Sequence, residues 1–155
     1  MSTRCQIGIY ENGKAKFKEF YALLYRHSDG YPGTIDGKKW GVLTDVVPFL
    51  RWWKTQRGIS DLEYTSARLL QYLCNTYDGH GNGTENLLSK NTDYTGVYGH
   101  GICKYFHWDI EYFYKIYPDT LEVYDIHFRS FPGLDASDDE EINFEMWKLI
   151  KTINL

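Results

Sequence analysis

Apolar and polar side chains alternate along residues 4–10, with Cys5, Ile7 and Ile9 on one side and Arg4, Gln6, Gly8 and Tyr10 on the other. A period of two is the signature of a half-buried β-strand. Glu11-Asn12-Gly13-Lys14 follows, and Asn-Gly predicts a hairpin because both residues tolerate positive φ. The return strand is expected from about Ala15 to His27. A strict two-residue turn would bring Cys5, Ile7 and Ile9 onto the side of Lys16, Lys18 and Phe20. One further turn residue, or a bulge, aligns them instead with Phe17, Tyr21, Leu23 and Tyr25. The second register is preferred because it buries apolar groups together. It also puts Arg4 and Arg26 on one shared face.

Ser28 to Gly33 is a turn cluster, and the loop runs on through Gly37 and Gly41. Thr44 is then expected to cap a helix starting near Asp45, with Pro48 in its first turn, where the missing N–H matters least. Val46, Val47, Leu50 and Trp53 form its inner stripe, and Gly58 ends it. Ser60-Asp61-Leu62-Glu63 reads as a capping box opening a second helix through about Thr76. Leu62, Leu69, Leu70 and Leu73 give that helix an apolar face. The pattern breaks over 79–101, a long Gly-rich loop. Strands are expected again from Asp109 to Tyr117, with Ile110, Tyr112, Tyr114 and Ile116 on one face, and from Leu121 to Phe128. Pro118-Asp119-Thr120 makes the turn between them. A second capping box at Ser137-Asp138-Asp139-Glu140 predicts a closing helix over 137–155, striped by Ile142, Met146, Leu149, Ile150 and Ile153. The order β-β-α-α-loop-β-β-α implies an α+β fold, a mainly antiparallel sheet of two β-hairpins with about three helices on one face.

Composition narrows the function classes. The chain has 155 residues, which suits one domain over 1–155. With 43% hydrophobic and 25% charged residues it reads as globular rather than disordered. No window approaches the ~18 consecutive apolar residues of a membrane span, and Met1-Ser2-Thr3-Arg4 opens no secretion signal. A net charge of -4 argues against bulk coating of nucleic acid. Cys5, Cys74 and Cys103 are odd in number and show no CxxC spacing, so neither a disulfide framework nor a cysteine zinc site is expected. A cytoplasmic setting fits, and the sequon Asn82-Gly83-Thr84 is then a coincidence. Aromatic residues make up 17% of the chain, Tyr foremost. Most of them are expected to pack in half-buried strands, and some to serve wet interfaces.

Three stretches carry a wider likeness: Met1-Ser2-Thr3-Arg4; the segment Tyr25-Arg26-His27-Ser28-Asp29-Gly30-Tyr31-Pro32; and Asp109-Ile110-Glu111-Tyr112 with Tyr114. On these the chain resembles a family of small, largely uncharacterised phage, prophage and archaeal proteins with an M-x-T-R strand and a Y-R-H-S-D-G-Y-P segment. The likeness covers roughly the first third and residues 105–128. It implies a fold and an origin rather than a reaction.

The residues themselves suggest one site. Arg4 and Arg26 on a shared face near one sheet end can form a bidentate clamp for phosphate or carboxylate. His27, Ser28, Asp29 and the Gly30 backbone add hydrogen bonds, and Tyr31 a stacking surface. The competing structural reading has Asp29-Gly30 simply making the turn and Arg26 pairing with Asp29 or Asp109. His107 and Asp109, two apart on an expected strand, form a possible second pair on one face. No HExxH or similar spacing marks a metal site, Ser28 beside His27 is no sign of a triad, and Gly79, Gly81 and Gly83 do not make a P-loop. No cofactor or metal is implied. The leading expectation is a non-enzymatic accessory protein of a phage, in the host cytoplasm, that binds a host protein or a small anionic, nucleotide-like ligand. Inhibition of a host defence is one role that origin suggests. The alternative is a small phosphodiester hydrolase using His27, His107 and Asp109, with or without a metal.

Overall fold

The first strand, β1 (Cys5–Ile9), keeps the alternation read from its sequence, and Cys5, Ile7 and Ile9 are fully buried. It lies at the centre of a six-stranded sheet in a computed structural model that describes residues 3–76, 99–131 and 142–155. The other strands are β2 (Ala22–Arg26), β3 (His100–Ile102), β4 (Tyr112–Tyr117), β5 (Thr120–Asp125) and β6 (Lys148–Asn154), and the sheet order is β3-β2-β1-β4-β5-β6. β1 pairs parallel with β4, and every other pairing is antiparallel. The α+β class and the mostly antiparallel sheet are as expected. Among the described residues there are two α-helices, α1 (Val42–Gln56) and α2 (Leu62–Thr76), in place of about three. No helix there is long and apolar enough to cross a membrane.

The register between β1 and β2 differs from the expected one. Cys5 faces Arg26, Ile7 faces Leu24 and Ile9 faces Ala22. Leu23 and Tyr25 therefore point to the opposite side, and β1 and β2 do not form a tight hairpin. Residues 10–21 cross the far face of the sheet instead, with a short 3-10 turn at Phe17–Glu19. Phe17 drops into an aromatic layer there, 4.8 Å from Trp147 and 5.0 Å from Tyr124. Lys115 Nζ holds the crossing down by donating to the Gly13 and Ala15 carbonyls. The expectation failed because it assumed a single buried face. Both faces of this sheet are covered, so burying apolar groups does not choose the parity of β2.

One face carries the helices. Val42, Leu43, Val46, Val47, Leu50 and Trp53 of α1 and Leu69 and Leu73 of α2 pack on Cys5, Ile7, Ile9, Tyr114, Ile116, Leu121 and Val123. The other face carries the aromatic layer, with Tyr10, Leu23, Phe106, Phe113, Phe131 and Trp147 buried. Ile110 belongs to this second layer and not to the face of Tyr112 and Tyr114, because β4 begins only at Tyr112.

Helix boundaries follow from where the terminal N–H groups go. α1 starts at Val42, about a turn before Asp45, since the Tyr31 and Pro32 carbonyls accept from Val42 N–H and Leu43 N–H. Those two bonds satisfy donors that a helix start leaves orphaned. Thr44 still serves the start, its Oγ1 accepting from Gly41 N–H. Pro48 consequently sits in the second turn, where it deprives the Thr44 carbonyl of its intrahelical donor. α2 starts where expected, with Asp61 rather than Ser60 facing the Tyr64 N–H. Between β4 and β5 the tight turn falls at Pro118-Asp119, with Asp119 at φ 70.

The closing segment is the largest correction. Ser137 to Glu140 lie outside the described residues, but Lys148–Asn154 form β6 against β5 where a helix was expected. Ile150 is the extra residue of a bulge, since Lys151 pairs with Val123 and Leu149 with Tyr124. The spacing of Ile142, Met146, Leu149 and Ile153 admits a helix. The β-branched Ile150, Thr152 and Ile153 also suit a strand, and β5 offers an open edge to pair with. The loop expected over 79–101 lies outside the described residues up to 98. Its last residues, His100 and Gly101, belong to the edge strand β3.

Candidate functional site

Arg26 is held in the interior. Its register opposite Cys5 turns it toward the helices, where it is fully buried. Nη1 donates to Asp45 Oδ2 at 2.9 Å and Nε to the Ser28 carbonyl at 3.1 Å, while the Trp40 ring lies over the guanidinium. The Trp40 indole N–H donates to the other Asp45 oxygen. The partner is thus Asp45 of α1, neither Asp29 nor Asp109. His100 of β3 lies close to this charge. Burial first, and Arg26 second, push it down to about 3.

The rest of the Ser28–Pro32 turn is tied up in the same way. Gly30 N–H donates to the Thr3 carbonyl, and the Gly30 carbonyl accepts from the Tyr114 hydroxyl at 2.8 Å. A Cβ at Gly30 would lie 2.8 Å from the Arg4 carbonyl carbon. Asp29 takes φ 55, and the half-buried Tyr31 spends its carbonyl on the start of α1. The segment expected to cradle a ligand also seats α1 on the sheet.

Arg4 sits on the aromatic face, so the two arginines do not converge. Its Nη1 pairs with Asp109 at 3.1 Å, and among the described residues the buried Arg4 Nε and Asp109 Oδ1 have no hydrogen-bond partner. Around this pair lies a polar cluster. The Tyr25 hydroxyl meets His27 Nδ1 at 3.1 Å, and the Tyr25 ring lies tilted against His107 at 4.8 Å. Burial first, then the Asp109 charge, push the Tyr25 hydroxyl up to about 12, with Arg4 acting the other way. His107 N–H donates to Gln6 Oε1, Gln6 Nε2 donates to the Tyr105 carbonyl, and His107 Nε2 lies 3.4 Å from Cys103 Sγ. His107 and Asp109 belong to the connection before β4, not to a strand, so they share a region without sharing a strand face. His27 and His107 each contact Tyr25, whereas Asp109 pairs with Arg4. Among the described residues no three His, Cys, Asp or Glu side chains converge as a metal site would require.

A second feature was missed from the sequence. Between α1 and α2 an open groove of about 360 Å³ is walled by Phe49, Trp52 and Tyr72, with Arg68, Gln71 and Asn75 at its rim. Phe49 stacks on Tyr72 at 4.8 Å, and Arg68 Nη1 donates to Gln71 Oε1. Trp52 is 55% exposed. The signal was present, since Trp52 and Tyr72 lie beside the inner stripes of their helices rather than in them. Comparison with known proteins finds no match to this chain among family models, curated proteins or solved structures.

Proposed function

We propose that this chain is a non-enzymatic binding module that holds another protein in the α1–α2 groove. The observation that carries the reading is the half-exposed Trp52 beside Phe49 and Tyr72, with Arg68 at the rim. Trp, Tyr and Arg are the residues that dominate interface energetics, because each covers much area and ends in a polar group. An aromatic kept in water on a helix whose other aromatics are buried marks a contact surface. A small anion finds less support, since Arg26 is spent on Asp45 and Arg4 on Asp109. The setting that goes with this reading is the one the sequence resemblance implies, a phage accessory protein acting on a host protein, with inhibition of a defence system among its roles.

The test uses the immobilised full chain and its Trp52→Ala variant against host extract, followed by titration with the purified partner. The partner should bind the wild type and weaken by about 2 kcal/mol or more, roughly thirty-fold in Kd, on loss of Trp52. Melting should be nearly unchanged, since the side chain is largely in water. A partner held equally well by both chains removes the groove from the reading.

A further inference from the structure

We propose that Cys103 is the reactive thiol of this protein, a site of S-thiolation at which a small disulfide is taken up with His107 as the base. The proposal is independent of the α1–α2 groove. It rests on the geometry around one sulfur. Cys103 is partly exposed, and its Sγ lies 3.4 Å from His107 Nε2. Both groups are held in place. Cys103 N–H donates to the Leu23 carbonyl at 2.7 Å, the imidazole lies tilted against the Tyr25 ring at 4.8 Å, and the His107 backbone N–H donates to Oε1 of the fully buried Gln6. A thiol with an imidazole nitrogen at hydrogen-bond distance is the arrangement that general-base activation of a nucleophile requires.

The other cysteines lack this arrangement. Cys5 is fully buried in the helix-face core, where burial pushes its thiol up to about 12. Cys74 is half-buried on α2 and has no hydrogen-bond partner among the described residues. Burial also raises the Cys103 thiol, while a hydrogen bond from Gln6 lowers it. Cys103 therefore rests as the protonated thiol, and the proton leaves as the sulfur attacks, which is the work of a general base.

The step balances with the disulfide as the only co-reactant. The Cys103 proton passes to His107 Nε2 while the sulfur attacks one sulfur of the disulfide. A new Sγ–S bond forms, the old S–S bond breaks, and the leaving thiolate carries away the electron pair and recovers the proton. Cys103 is oxidised, and the departing sulfur is reduced.

The native full chain is exposed to 4,4′-dithiodipyridine, and peptide mass mapping follows each cysteine against time. Cys103 should react about tenfold faster than Cys74, with Cys5 slowest. His107→Phe, which keeps a ring to stack on Tyr25, should bring Cys103 down about tenfold, toward the Cys74 rate. His107→Gln serves as the second variant, and circular dichroism confirms the fold of each. A wild-type Cys103 no faster than Cys74 overturns the proposal whatever the variants do. So does an unchanged Cys103 rate in a folded His107 variant.

Discussion

Arg26 brings a full charge to a position with no access to water. Asp45, the Ser28 carbonyl and the Trp40 ring all face the guanidinium. Removing one partner of such a pair leaves an uncompensated charge in the interior, which costs about 3–5 kcal/mol. Arg26→Met should lower unfolding free energy in urea by about that amount, and Arg26→Met with Asp45→Leu should recover much of it. A loss below about 1 kcal/mol would mean that Asp45 is solvated. His100 supplies a second prediction at this scale. Its ordinary value is 6.5, and the fold holds it at about 3. Between those values the unfolded chain binds a proton that the folded chain refuses. Stability should therefore be full above 6.5 and decline as pH falls toward 3. His100→Gln should flatten that part of the melting-temperature profile, and two parallel profiles would rule the residue out as the cause.

Elements were decided by what lay beside them. β6 is the clear case, because residues whose spacing admits a helix complete the sheet as its last strand. Its outer edge carries Lys148 and Lys151 and a bulge at Ile150, the features with which proteins discourage further strand addition. A chain ending at Trp147 should bare the β5 ladder and lose Ile153 from the core, so we expect it to aggregate. Size-exclusion chromatography with light scattering checks this, and a monomer melting like the full chain would contradict it. The connection from β1 to β2 makes the same point. Asn12-Gly13 promised a tight turn, and Phe17 and Lys115 instead anchored a longer crossing to the aromatic layer.

At the scale of the molecule, one sheet separates two unlike cores, mostly aliphatic beneath the helices and mostly aromatic on the opposite face. The local sequence was sufficient for β1, for the start of α2, for the Pro118-Asp119 turn and for the α1 stripe. Each of these depends on neighbours within a turn or two, where periodicity and capping act directly. The groove was half legible, since Trp52 stands outside the stripe of α1, but its pairing with Tyr72 needed the packed helices. Arg26 was legible as a residue of consequence, though its partner was not. Asp45 becomes its neighbour only when α1 settles on the sheet, and Arg4 parts from it because the true register of β2 puts Arg26 on the helix face. The parallel pairing of Cys5 with Tyr112 and the choice of strand for Lys148–Asn154 also belong to the tertiary structure alone. Side-chain order along a chain states which residues are apolar on a given side. Which sides are covered, and by what, is decided by contacts between segments far apart in sequence, and in this protein both faces of the sheet found a cover.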